Sequence, residues 1–275
     1  MAANTQIWSG AAADNDHSAA GNWDVAEAPE TGDTLIFPAM AAATGVHVAG
    51  SDESAILQAA TFIENGCYVE FGSRIAYLQL DTDALTFAGD GQAYFDIDNC
   101  ALIRIENAAY AGSGHTYGFN LVGTGNTALV CDPGSGKAVG LAALGDESLA
   151  CTTITIDSGN VDMGSGLTTT TLNVTGGAVN NSSAISVTNI GGGTLRQVAA
   201  KVTTLNIKKG GRVYYNGTAP TTINLYAGGI LDLSERTAAM AVDAMNVYGG
   251  QVIDPHNVLA VTTLLYKVGL TASYS

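Results

Sequence analysis

From residue 151 onward one phrase recurs: two threonines or their like, an apolar–polar–apolar triplet, a turn containing glycine, then a second apolar–polar alternation. The copies begin Thr152-Thr-Ile-Thr-Ile-Asp-Ser-Gly159, Thr170-Thr-Leu-Asn-Val-Thr-Gly-Gly177 and Ile185-Ser-Val-Thr-Asn-Ile-Gly-Gly-Gly193. They continue as Thr203-Thr-Leu-Asn-Ile-Lys-Lys-Gly-Gly211, Thr221-Thr-Ile-Asn-Leu-Tyr-Ala-Gly-Gly229 and Asp243-Ala-Met-Asn-Val-Tyr-Gly-Gly250, and end in the decayed Thr262-Thr-Leu-Leu-Tyr-Lys-Val-Gly269. The anchoring glycines 159, 177, 193, 211, 229, 250 and 269 are spaced by 18, 16, 18, 18, 21 and 19 residues. Near-equal intervals of this length mark a stacked-repeat architecture.

In Leu172-Asn-Val174, Leu205-Asn-Ile207, Ile223-Asn-Leu225 and Met245-Asn-Val247, a period of two sends the aliphatics to one face and asparagine to the other. One such strand cannot bury its apolar face alone, but stacked copies bury a continuous column. Glycine lets the chain bend between short strands because it accepts positive φ. The expected fold is therefore all-β: a right-handed parallel β-helix, or β-solenoid, with coils of about 18 residues and an N-terminal cap. Seven coils at the inter-strand spacing would span about 33 Å. A hairpin sandwich would need recurring Asn-Gly or Asp-Gly turns, and only Asn65-Gly66 and Asn216-Gly217 offer an Asn-Gly step.

Three regions follow. Residues 1–40 read as a cap or arm, since a first coil's apolar end must be covered. Trp8 and Trp23, the two tryptophans of the chain, suit that role; a sugar-stacking platform is the functional alternative. Residues 41–150 read as irregular β structure, with alternation in Cys67–Phe71, Ile75–Leu80, Ala84–Phe87, Ala93–Ile97 and Leu102–Ile105, and are expected to form wider coils of the same solenoid. Within them, Ser54–Ala60 fits a short helix or a strand, and the glycine-rich stretch 110–150 is expected to form a long loop between coils. Residues 151–275 are the regular solenoid.

Composition limits function. With 25 acidic against 10 basic residues, a net charge of −15, the chain lacks the cations that displace counterions from nucleic acid or bind anionic membranes. The opening Met1-Ala-Ala-Asn-Thr-Gln6 has neither the basic nor the apolar region of a secretory signal, and no apolar run reaches a membrane span. Cys67, Cys100, Cys131 and Cys151 are widely spaced, read as reduced core residues of a chain made in a cytosol, and lack the close pairing of a zinc site.

A search for reactive groups yields little. Gly134-Ser-Gly-Lys137 fails the phosphate-loop pattern, because Cys131 and Ala138 stand where glycine and a hydroxyl are required. Asp96 and Asp98 share a strand face with Asp81, Asp83 and Asp90 near in sequence; solvated acids, a Ca²⁺ site and an acid/base pair for glycoside hydrolysis are the readings, in that order. His17, His47, His115 and His256 share no motif, and Asp254-Pro-His256 reads as a turn. The asparagines at 173, 206, 224 and 246 can stack as an amide ladder. An ordered-water surface of the ice-binding kind is disfavoured by uneven spacing and by Lys208, Lys209 and Tyr226. The sequons at Asn173, Asn181 and Asn216 carry no meaning without secretion. No catalytic, cofactor-binding or metal-ligating residue is assigned, no cofactor is expected, and the chain is read as a non-enzyme.

The phrase Trp8-x-Gly10, Gly21-Asn-Trp23, Pro29-x-x-Gly-Asp-Thr34 resembles the opening of many bacterial and phage β-solenoid proteins. Asp132-Pro-Gly-Ser-Gly-Lys-Ala-Val-Gly140, the threonine and Gly-Gly repeats, Gly229-Ile-Leu-Asp-Leu-Ser234 and Gly249-Gly-Gln-Val-Ile-Asp-Pro255 are similar to tailed-phage proteins of head-gene clusters, over roughly residues 100–265. The resemblance implies a virion structural protein, a capsid decoration or cement protein bound to the major capsid protein as a homotrimer on the capsid surface. The alternatives are a tailspike-like glycan-binding or glycan-degrading protein and a bacterial surface adhesin.

Overall fold

The computed structural model describes residues 3–11, 19–39, 47–48, 58–109 and 117–266. Over these the chain is a β-solenoid whose named strands all pair in parallel. The one helical element described is a single 3₁₀ turn, Ala20–Asn22.

Two sheets run the length of the stack. The first takes Thr5–Ile7, Thr34–Phe37, Ala60–Ile63, Ala84–Phe87 and Leu102–Ile105, then the end of Phe119–Cys131. It continues through Leu149–Ile156, Leu167–Val174, Ile185–Ile190, Val202–Ile207, Thr222–Tyr226, Met240–Tyr248 and Leu259–Tyr266, giving thirteen rungs. The second includes Glu70–Phe71, Leu78–Leu80, Ala93–Ile97, the start of Phe119–Cys131 and Ala138–Leu141. It continues through Asn160–Met163, Ala178–Asn181, Thr194–Gln197, Arg212–Tyr215, Ile230–Asp232 and Gln251–Ile253.

The alternation in sequence becomes columns in space. Ile156, Val174, Ile190, Ile207 and Leu225 stack at one inward position of the first sheet. Phe119, Val139, Val161, Val179, Leu195, Val213 and Leu231 face them from the second. All of these are buried, and each side chain so buried contributes roughly 1.5–3 kcal/mol. One inward polar residue, Asn181, is held by partners: its Nδ2 donates to Gln197 Oε1 at 2.7 Å and to the Ser183 carbonyl at 2.9 Å.

The N-terminal third fills the same core with aromatic rings. Trp8 and Trp23 meet edge to face at 5.2 Å, and both lie on Phe37. Phe37 continues to Phe71 at 5.0 Å, Phe71 to Phe95 at 5.5 Å, and Phe95 to Phe119 at 5.8 Å. Both tryptophans are 2% exposed, so their rings are closed to a sugar. The opening segment is also more than a cap, because Thr5–Ile7 and Thr34–Phe37 are the first two rungs of the sheet. The Gly-Asp-Thr phrase has a structural reason: the Asp33 carboxylate accepts from the backbone N–H groups of Asn4 (2.8 Å) and Glu30 (2.9 Å) and from Gln6 Nε2 (2.7 Å).

Three expectations are corrected. Of Ile75–Leu80 only Leu78–Leu80 is strand, and Ile75 is 96% exposed in the preceding turn. Of Cys67–Phe71 only Glu70–Phe71 is strand. The glycine-rich stretch 110–150 is not a long loop: from 117 onward it holds the 13-residue strand Phe119–Cys131 and the strand Ala138–Leu141. Phe119–Cys131 crosses between sheets, pairing with Ala93–Ile97 at its start and Leu102–Ile105 at its end. Gly123 and Gly125, at φ of 122° and 73°, make that corner, and a Cβ on Gly123 would lie 2.0 Å from the Ile97 carbonyl oxygen. Residues 54–57 of the Ser54–Ala60 segment lie outside the described residues; Ala60 opens a strand.

Candidate functional site

Asp96 faces outward from Ala93–Ile97, while Phe95 and Ile97 are fully buried on the other side. Its rung partner is Gln79, and with Leu80, Asp81, Asp98 and Asn99 they line a pocket of about 150 Å³. Burial pushes the Asp96 carboxyl above its ordinary value, and the Asp98 charge adds to this. Burial does the same to Asp81, helped by Asp83 and Asp98. Asp98 is engaged by Thr124, whose Oγ1 donates to it at 2.9 Å. Asp90 serves another turn, accepting from Gly66 N at 3.1 Å and Asn107 Nδ2 at 2.8 Å. Of the five aspartates near in sequence, three therefore share one pocket. Among the described residues no three His, Cys, Asp or Glu side chains converge on a point where one cation would sit. The Ca²⁺ reading accordingly gains no ligand set, and the pocket's chemistry is two carboxyls that take up protons more readily than usual.

A second polar cluster lies further along the second sheet. The Tyr77 hydroxyl donates to Glu147 Oε1, and Asn120 Nδ2 donates both to the Tyr77 oxygen at 2.5 Å and to Glu147 Oε2 at 3.1 Å. Leu144 N–H also donates to Glu147 Oε2, at 2.9 Å. Burial, with Glu147 accepting the phenol's proton and repelling the phenolate, pushes Tyr77 well above its ordinary value. Asn120 is wholly buried and sits over Gly140, where a Cβ would lie 2.2 Å from its Oδ1. Beside it Tyr117 donates to Asp162 at 3.0 Å, and Asn180 donates to the other Asp162 oxygen at 2.7 Å. These contacts pin the turns at 72–77 and 142–148 onto the outer face of the sheet. Sequence reading missed the cluster because Tyr77 and Glu147 are 70 positions apart and no local pattern joins them.

The third arrangement is the asparagine ladder. Asn189 Nδ2 donates to Asn173 Oδ1 at 2.9 Å, Asn206 to Asn189 at 2.8 Å, Asn224 to Asn206 at 2.7 Å and Asn246 to Asn224 at 2.8 Å. The sequence separations are 16, 17, 18 and 22 residues, yet the side chains stand in one column because the turns absorb the difference. Asn189 is a fifth member that the triplet pattern did not reveal. The amides bond to one another along the column, and Tyr226 and Tyr248 stack beside it at 4.8 Å.

The remaining candidates disperse. Lys137 follows a turn in which Gly134 and Gly136 have φ of 88° and 78°. His256 lies in a turn held by Asp254, which accepts from the N–H groups of Val258 and Leu259, both at 3.0 Å. His17, His115 and the His47 side chain lie outside what the structure describes. Of the sequon asparagines, Asn181 is buried and Asn173 is in the ladder. All four cysteines are free and buried; burial raises each thiol, Cys151 to about 11. No described helix is long and apolar enough to cross a membrane. No protein-family model, curated protein or solved structure matches the chain.

Proposed function

We propose that this chain is a non-enzymatic structural protein of a tailed-phage virion, a capsid decoration protein that binds the major capsid protein lattice as a homo-oligomer. The observation that carries the reading is the use made of polar side chains on the solenoid. Asparagines bond to asparagines from turn to turn, and carboxylates cap backbone N–H groups. Such groups stiffen a body and do no chemistry on a ligand. A stacked β-body offers long lateral faces for contact, as decoration requires. The virion setting rests on the resemblance of roughly residues 100–265 to tailed-phage proteins of head-gene clusters.

The pocket at Asp81, Asp96 and Asp98 favours a second reading, a tailspike-like glycan hydrolase, because carboxyls with raised pKa are what a general acid needs. Incubation of purified protein with host capsular and lipopolysaccharide fractions separates the two. The structural reading expects no release of reducing ends; release that is abolished by Asp96→Asn would replace it with the enzymatic one.

A further inference from the structure

The outward face of the first sheet carries two columns of side chains that run the full stack. One is Ile7, Ile36, Phe62, Thr86, Arg104, Val130, Thr155 and then the asparagine ladder, ending at Leu265. Its neighbour is built from Thr, Ala, Leu and Val, for example Thr5, Ala84, Thr153 and Thr204. Across all thirteen rungs Arg104 is the one charged residue in these columns. The chain is 13% charged with a net of −15, and charges belong on surfaces, so a strip of this size drawn at random would hold several. The matching face of the second sheet does hold several, among them Asp162, Arg196, Arg212 and Asp232.

We propose that this neutral strip is the seat of a second copy of the same chain, lying alongside in parallel and in register. Two bodies of charge −15 repel, and the cost of contact is least where the facing surfaces carry almost no charge of their own, as this strip does. Its chemistry is graded along the stack, which sets the direction. The N-terminal end of the ladder column is apolar, with Ile7 40% and Phe62 41% exposed; the rungs from Thr155 to Asn246 are hydroxyl and amide, and the last rung returns to an aliphatic, Leu265. Parallel packing sets apolar rungs against apolar rungs and amides against amides, whereas antiparallel packing would set Phe62 against asparagines. Arg104 is the strip's one charge, and the exposed Glu106, one residue past the end of its strand, is the acid nearest to it in sequence. Thirteen rungs at the inter-strand spacing extend about 58 Å. With a width of roughly 13 Å the strip presents about 750 Å² per copy, close to the ~800 Å² per partner of a stable interface. The inference concerns the purified chain alone and does not rest on the virion reading.

The test is sedimentation of the full chain with Phe62→Glu, Thr204→Glu and, as a control on the other sheet, Thr194→Glu beside Arg212. The wild type and the control are expected to sediment as an oligomer, and the two strip variants as single chains with unchanged circular dichroism. A wild type that remains a single chain at 100 µM overturns the proposal, as does an oligomer indifferent to both strip variants. Thr204→Cys gives an independent readout, since the four native cysteines are buried. Oxidation is expected to join two copies through residue 204 within minutes, and failure to do so rejects the parallel register.

Discussion

Asn206 stands between two identical neighbours, donating from Nδ2 to Asn189 Oδ1 at 2.8 Å and accepting from Asn224 Nδ2 at 2.7 Å. Each residue thus acts as donor to the rung before it and acceptor from the rung after it. Replacing it strands one group on each side, half-buried and without a partner. Asn206→Ala is expected to cost about 2 kcal/mol, near 1 kcal/mol per bond lost. Asn206→Asp should cost at least as much, because a carboxylate keeps the Asn224 bond but repels Asn189 Oδ1. Denaturant unfolding of the two variants measures this, and a loss under a few tenths of a kcal/mol for both would show the ladder to be incidental.

Glycine substitutions should separate two uses of the residue. A Cβ on Gly164 would lie 1.7 Å from the Ala142 carbonyl oxygen, whereas one on Gly134 meets nothing within 4 Å although φ is 88°. Gly164→Ala forces adjacent turns apart and is expected to cost about 3 kcal/mol or to prevent folding. Gly134→Ala carries backbone strain alone, about 1 kcal/mol. Thermal melts of the pair should rank them in that order.

Acid should act in opposite senses at two sites. Burial alone would raise Asp33, but the donors from Asn4, Glu30 and Gln6 outweigh it and hold the carboxyl below its ordinary value. The stability it contributes is therefore present above the unfolded pKa of about 3.9 and lost as pH falls toward the lower folded value. Asp96 is raised, so its charge destabilises the fold at neutral pH and that penalty disappears as pH falls through the raised folded pKa. Asp96→Asn is expected to raise the melting temperature at pH 7 and to lose that advantage below about pH 4. Asp33→Asn should lower it at pH 7, with the deficit shrinking toward pH 3. Melts across pH 3–8 read both signs, and a parallel response of the two variants would contradict the assignment.

Thiol chemistry offers a probe of the core. Cys67, Cys100, Cys131 and Cys151 are buried, and burial raises every one of them. Native protein at pH 8 is expected to react with no equivalents of a disulfide reagent, and with four after denaturation, because thiolate and access are both missing in the fold. Rapid labelling of the native chain would mean that the coils open locally.

The back of the molecule was legible because its residues obey one local rule. Leu172, Leu205 and Ile223 fall inward and Asn173, Asn206 and Asn224 outward by period two alone. Asn189 is not marked by the apolar–polar–apolar pattern because Thr188 occupies the inward slot that holds an aliphatic in the other copies; Thr188 is fully buried between Leu172 and Leu205. Glycine misled the reading of 117–150. In sequence Gly123 and Gly125 carry a loop signal, but they turn a continuing strand from one sheet to the other, and Gly140 makes room for Asn120. Turn punctuation and close approach use the same residue, and only the neighbouring coil tells them apart. The Tyr77 and Glu147 contact and the neutral strip were beyond reach for a related reason. Both depend on which residues different coils bring side by side, and register across coils of 26 and 29 residues, as from Ile36 to Phe62 and Ile7 to Ile36, is set by turns that carry no periodic signal.

The central claim is that the solenoid is a structural body on a phage capsid. Cryo-electron microscopy of virions from a phage encoding this chain tests it most directly. The account predicts rods about 58 Å long, of two-sheet cross-section, standing on the capsid lattice in contact with the major capsid protein. Rods found at the tail tip, or particles without them, would contradict it.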